Sequence, residues 1–202
     1  MRIDIPVYDG IDEMDALGPL EVLRSAERSG ADFRTRLVTR TPQSHVTASY
    51  GLRFLPDDVH SPGADLVIVP GGGWAARAST GAWGEVQRGE WLPLLARAAE
   101  SSVMAGVCSG TMLLAHAGVV GSRRASTHHT ARDDLAATGA QLVTDRVVDD
   151  GPLLTSGGVS SGIDLALWVV ERFHGPDLAD RVAARMEYAR TRPRTRGSRC
   201  EG

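Results

Sequence analysis

The sequence predicts an α/β fold: a flavodoxin-like parallel sheet sandwiched by helices, carrying a nucleophile elbow. Three observations lead there. Short, continuous apolar runs such as 65–69 and 103–107 read as strands buried on both faces. Amphipathic helical stretches separate such runs, and glycine-rich or small-residue clusters follow them directly. In a sheet of this kind ligands collect outside the carboxyl ends of the strands.

Residues 2–8, rich in Ile and Val and closed by Asp9 and Gly10, form the first expected strand. Met14, Leu17, Leu20, Val22 and Leu23 then recur at helical spacing, and Pro19 is read as a first-turn residue, which leaves Asp15 in the loop before the helix. A second strand is expected over 33–39 and a short hairpin over 46–54, interrupted by Gly51. The apolar run ending at Val69 is closed by Pro70, Gly71, Gly72 and Gly73. One amphipathic helix is expected over 83–100. The strand at 103–107 runs straight into Cys108, Ser109 and Gly110, followed by a helix that Gly118 ends. Further on, 133–138 reads as a short helix, 141–144, 146–148 and 153–155 as strands, and 163–173 as a strongly apolar helix.

At 202 residues, against about 150 for a typical domain, the chain suits one domain, expected over 1–190, with 191–202 as an Arg-rich tail. The arginines at 185, 190, 192, 194, 196 and 199 read as a solvated, disordered segment. The 42% hydrophobic content excludes disorder for the rest. With 22 basic against 25 acidic residues there is no global positive field, so neither nucleic acid nor a membrane surface is an expected partner, and a small-molecule substrate is. Every basic residue is Arg, and the chain has neither Lys nor Asn. Schiff-base catalysis, pyridoxal phosphate attachment and a phosphate-loop Lys are thereby excluded, and no cofactor is expected. The two cysteines, Cys108 and Cys200, form no disulfide framework. The opening residues lack the pattern of a signal peptide and no segment is apolar for long enough to span a bilayer, so the expected compartment is the cytoplasm.

The strongest chemical signal is Gly106, Val107, Cys108, Ser109, Gly110, a glycine-flanked thiol at a strand-to-helix junction. Such a turn is tight enough to need glycine two residues either side, and it holds the central residue in a strained conformation above the sheet. A helix N-terminus beside the sulfur favours thiolate over thiol, so a depressed pKa is expected for Cys108. Charge that develops on an attacked substrate calls for backbone N–H donors, for which Ser109 and the loop of Gly71, Gly72 and Gly73 are the candidates. Asp15, His128 and Tyr188 compete as the proton-handling partner, and spacing alone does not rank them. His45, His60, His116, His129 and His174 show no metal-ligand spacing with Cys108, so no metal site is expected.

The segments VIVPGGG (67–73), AGVCSGTMLLAHAGVV (105–120), RRASTHH (123–129) and TSGGVSSGIDLALWVV (155–170) resemble the ThiJ/PfpI superfamily, relatives of the class I glutamine amidotransferases. Asp15, Ala16, Leu17, Gly18, Pro19 is similar to the pattern of its isonitrile hydratase subgroup. That resemblance implies Asp15 as the acid/base partner of Cys108, Gly72 and Ser109 as N–H donors, a Tyr188 lining the site, and a homodimer. It implies a cysteine-dependent hydratase of a small carbon electrophile, with an isonitrile converted to an N-formamide. His128 lies where other members carry a histidine near the cysteine, which keeps open a Cys/His hydrolase or a deglycase- or glyoxalase-like enzyme. A non-catalytic redox sensor at Cys108 is the third alternative. An amidotransferase proper needs a late His and Glu two residues apart, and no His here is followed by Glu at that spacing.

Overall fold

The computed structural model describes residues 1–193. In chain order the elements are β1 (Arg2–Pro6), α1 (Glu13–Arg28), β2 (Arg34–Thr39), β3 (Val46–Thr47), β4 (Arg53–Phe54), β5 (Asp58–Val59), β6 (Leu66–Val69), α2 (Gly81–Arg88), α3 (Leu92–Ala98) and β7 (Val103–Val107). There follow α4 (Gly110–His116), β8 (Arg124–Ala125), α5 (Arg132–Ala137), β9 (Gln141–Leu142), β10 (Val147–Asp149), β11 (Leu153–Ser156), α6 (Ser161–His174) and α7 (Pro176–Arg185).

Seven strands form the main sheet in the order β10-β11-β7-β6-β1-β2-β5, with β10 antiparallel and every other pairing parallel. The run β2-β1-β6-β7-β11 repeats the flavodoxin-like order, in which the chain first steps to one side of β1 and then returns to build the other. Helices α1, α6 and α7 pack together, and α2, α3 and α4 pack together, giving a layer on each side of the sheet. Ile3, Ile5, Leu66, Ile68, Met104 and Leu154 are fully or almost fully buried between them. The carboxyl ends of β1, β6, β7 and β11 therefore deliver residues 9–15, 70–74, 108–110 and 157–161 to one edge. No helix among the described residues is long and apolar enough to cross a membrane.

Several expectations need correction. Helix α1 starts at Glu13, not near Pro19, because Asp12 caps it by accepting the Met14 N–H at 3.1 Å. Asp15 thus stands in its first turn. Gly18 and Pro19 serve a helix–helix contact instead: a Cβ on Gly18 would lie 3.2 Å from Ile163 of α6, and one on Gly162 would lie 3.3 Å from Pro19. The helix expected over 83–100 is two, separated at Gly89. Strand β10 pairs antiparallel, and β5 and α7 went unread because β5 is two residues long and α7 is rich in Ala and charge.

The Arg-rich segment is also more ordered than expected as far as it is described. Arg185 lies in α7 and bonds Glu21 and Ser25 of α1. Arg190 pairs with Glu171, Arg192 bridges Glu171 and Asp180, and the Thr191 N–H reaches Asp164 at 2.6 Å. Acidic residues on α6 and α7 supply partners that the local sequence does not reveal. Arg194, Arg196, Arg199 and Cys200 lie outside the described residues.

The turn after β7 depends on backbone approaches that leave no room for a Cβ. A Cβ on Gly110 would stand 2.0 Å from the Val69 carbonyl oxygen, and one on Gly106 would stand 2.6 Å from Thr111 Oγ1. Gly110→Ala should accordingly cost roughly 3 kcal/mol or more through forced separation of β6 from the elbow. Urea unfolding measures this, and an unchanged midpoint would contradict the packing described.

Candidate functional site

Cys108 has φ +58, a left-handed conformation that a cysteine adopts only under constraint. The surroundings supply that constraint. Its N–H donates to the Gly157 carbonyl at 3.0 Å, and the Thr127 hydroxyl donates to its carbonyl at 2.8 Å. The side chain is only 6% exposed, yet it lines a cavity of about 300 Å³ together with Asp12, Tyr50, Gly72, Gly73, Trp74, Ala75, Ala76, Ser109, His128, Thr130 and Val159.

Behind the sulfur lies Asp15, fully buried. The Gly71 N–H donates to its Oδ2 at 3.0 Å, while Oδ1 is buried with no hydrogen bond of standard geometry. Burial foremost, then the neighbouring Asp12 charge, raises its pKa to about 8; interactions with the Cys108 thiol and the N–H groups of Gly71 and Val159 oppose the rise. The Cys108 thiol is likewise pushed well above the ordinary thiol range, by burial first and by the Asp15 carboxylate second, against the N–H groups of Ser109 and Val159. The expected thiolate is therefore corrected: α4 is short, and its N-terminal field does not offset the desolvation of a nearly enclosed sulfur beside a carboxylate. At neutral pH the pair retains its protons. The two groups titrate as one unit.

The glycine loop is close-packed against the elbow. Gly72, at φ +123, has Gly10 O and Asp12 N where a Cβ would be, 2.5 and 2.6 Å away. Its N–H donates to Ser109 Oγ at 2.9 Å, so the donor expected to face a substrate is already bonded across the cavity wall. Gly71 serves Asp15, and Gly73 lines the cavity. Over the mouth, Trp74 and Trp83 meet edge to face at 5.0 Å, the Arg77 guanidinium lies 4.0 Å from the Trp83 ring, and Trp74 Nε1 donates to Asp134 at 2.6 Å. This aromatic and ionic clasp fixes Ala75 and Ala76 as a small-residue ceiling.

His128 reaches the cavity wall, but its Nδ1 bonds locally, accepting the Thr130 N–H at 3.3 Å and contacting Thr130 Oγ1 at 2.8 Å. Burial and the adjacent His129 lower its pKa. Tyr188 is elsewhere: its hydroxyl donates to the buried Asp164 at 2.8 Å and accepts from Arg146, and it is not among the residues lining the Cys108 cavity. The structure thus brings Asp15, Gly71, Gly72, Gly73, Ser109 and His128 around Cys108 and leaves Tyr188 behind α6. Asp12 and Val159 were missed. Val159 carries φ +45, and its N–H bears on both Cys108 and Asp15; a β-branched residue in that conformation has no signature in sequence. Among the described residues no group of three or more His, Cys, Asp or Glu side chains could hold a metal ion.

Comparison with known proteins agrees with the architecture. The chain is 34% identical over 201 residues to isonitrile hydratase from Pseudomonas putida, covering 98% of this chain and 83% of that one. It is 35% identical over 189 residues to the HTH-type transcriptional regulator CdhR of Pseudomonas aeruginosa, covering 92% of this chain and 54% of the regulator. Among solved structures, a ThiJ/PfpI family protein from Pseudomonas syringae superposes with a TM-score of 0.84 at 27% identity, covering 98% of this chain and 78% of the other. The DJ-1/PfpI family model matches residues 1–172, and with the strand order, the strained cysteine and the glycine loop in place, the chain belongs to the DJ-1/PfpI family.

Proposed function

We propose that the protein is a cysteine-dependent hydratase of a small carbon electrophile, with an isonitrile as substrate and an N-formamide as product. The observation that carries this is the buried carboxyl of Asp15 beside the Cys108 sulfur, at a cavity of about 300 Å³. Its similarity to an isonitrile hydratase over nearly the whole chain supports the same substrate class.

An isonitrile carbon accepts a nucleophile and a proton at one atom. A thiol and a neutral carboxyl side by side supply both: Asp15 delivers its proton to the carbon, Cys108 sulfur bonds to that carbon, and the thiol proton returns to the carboxylate. The product is a thioimidate, with S–H added across the carbon. Asp15 then passes its proton to the thioimidate nitrogen and takes one from the water that adds to the carbon, and collapse of the tetrahedral adduct breaks the C–S bond as the adduct's hydroxyl proton goes to sulfur, releasing the formamide. A carboxyl with its pKa near 8 can serve as acid and then as base at neutral pH. The Ser109 hydroxyl, bonded to the Gly72 N–H in the wall of the same cavity, can exchange that bond for one to the substrate. His128, tied to Thr130, shapes the wall.

We further propose the cytoplasm as the protein's compartment, where reducing conditions keep Cys108 a thiol. The same reading keeps the expected homodimer, to which exposed Met14, Tyr50, Leu52 and Leu55 offer apolar surface.

Two outcomes test the proposal. Wild type incubated with an alkyl isonitrile should yield N-formamide by mass spectrometry; Cys108→Ala should reduce it to background and Asp15→Asn should slow it about 10²-fold or more. An inactive wild type removes the substrate assignment. Stability should also report Asp15. Its folded pKa, about 8, exceeds its ordinary 3.8, so the folded state holds the proton more tightly. The resulting stabilisation is full below 3.8 and is lost as pH rises through about 8, at roughly 1.4 kcal/mol per unit where steepest. Asp15→Asn should flatten that decline in urea melts at successive pH values; parallel curves for the two proteins would refute the buried protonated carboxyl.

A further inference from the structure

A second cavity adjoins the first. It has a volume of about 330 Å³, and its wall includes His128, His129, Arg132, Asp145, Arg146 and Val159. His128 and Val159 line both cavities. Thr127 and Gly157, which hold the backbone of Cys108, also belong to the second wall, so the two spaces are separated by little more than the His128 side chain and the 157–159 backbone. A Cβ on Gly158 would stand 2.2 Å from the His128 ring, so the missing side chain keeps the partition thin, and His128 forms a rim common to both spaces.

The charges around this space do not cancel. Arg146 is matched by the buried Asp164 at 2.5 Å and is held by Ser160 and Tyr188, each at 3.1 Å. Asp145, the acidic residue of the wall, is answered by Arg124 at 3.6 Å. Arg132 has no such partner: among the described residues it forms no ion pair, and its Nε is buried without a hydrogen bond. An Nε–H withdrawn from water with nothing to donate to is costly. The planar fork of Arg matches a carboxylate with two parallel bonds. The hydroxyls of Thr144 and Ser161 on the same wall add polar lining, and Tyr188, through Arg146, helps to fix that wall in place.

We propose that this second cavity is a subsite for a carboxylate carried by the substrate, received by Arg132, while the reactive carbon of the same molecule lies on Cys108. The proposal rests on Cys108 as nucleophile toward a small carbon electrophile and specifies the substrate class: an anionic molecule with the electrophile at one end and a carboxylate at the other. Asp145 on the same wall disfavours a more highly charged group such as a phosphate. Tyr188, absent from the Cys108 cavity, thereby acquires a positioning role in the neighbouring one.

The test compares straight-chain ω-isocyano carboxylates with their methyl esters over a series of chain lengths, in wild type, Arg132→Met and Arg132→Lys. At the chain length that spans the two cavities, wild type should favour the acid over the ester in kcat/KM by about tenfold or more, the scale of one charged hydrogen-bonded contact. Arg132→Met should collapse that ratio toward one, and Arg132→Lys should retain part of it. A ratio near one in wild type, or one that Arg132→Met leaves intact, overturns the subsite. If wild type converts neither acid nor ester, the isonitrile assignment fails by itself, and a second arm judges the subsite: alkylation of Cys108 by ω-bromoalkanoates against the matching amides, in which sulfur displaces bromide and the thiol proton passes to water. A carboxylate preference in wild type that Arg132→Met removes upholds the subsite, and equal rates refute it. Matching thermal melts of the variants exclude a folding defect as the cause.

Discussion

The contact between the Asp15 carboxyl and the Cys108 sulfur is the constraint around which this molecule is built. Two acidic groups enclosed together in a poorly solvated space resist ionisation, so the Asp15 carboxyl holds a proton that water would have removed. Much of the surrounding structure maintains that enclosure. Helix α1 carries Asp15 inward in its first turn, capped by Asp12, and Gly18 and Pro19 let α1 close on α6. The left-handed turn at Cys108 is held from both sides by Gly157 and Thr127. The absence of side chains at Gly106 and Gly110 allows β6 and α4 to meet at the elbow.

Enclosure changes the chemistry expected of a cysteine at a helix start. The helix field and the N–H groups of Ser109 and Val159 act to ionise the sulfur, and burial with a neighbouring carboxylate acts more strongly against it. A resting thiol beside a protonated carboxyl suits a substrate that must gain a proton and a nucleophile at one carbon. A carbonyl substrate, which needs a preformed anion and free N–H donors, is served less well, because the Gly72 N–H is engaged by Ser109 and His128 by Thr130. In the proposed chemistry the adjoining cavity, where Arg132 forms no ion pair among the described residues, extends the site beyond the reacting atom.

Recognition of the elbow followed from spacing: glycines at 106 and 110 around a cysteine, after an apolar run, admit few alternatives. The parallel sheet followed from period and punctuation in the same way. What failed did so for local reasons. Pro19 looked like a helix start because proline is at home in a first turn, whereas here it packs against Gly162 of α6, a contact 143 positions distant in sequence. The arginines from 185 to 192 looked like a solvated tail because their partners, Glu21, Glu171 and Asp180, lie on other helices or an earlier turn. Val159 and Arg132 drew no attention because neither residue type advertises a positive φ or an unmatched charge.

By itself the amino-acid sequence determined the layered parallel architecture, the place of the strained cysteine and the glycine loop facing it, since each depends on short-range pattern: burial of continuous apolar runs, and turns too tight for a Cβ. Only the tertiary structure decided which of Asp15, His128 and Tyr188 meets the sulfur, that the sulfur keeps its proton, and that a second, cationic cavity lies alongside. Those are sums over groups brought together from distant segments, and desolvation and Coulomb interaction depend on their separation in space, which no local pattern encodes.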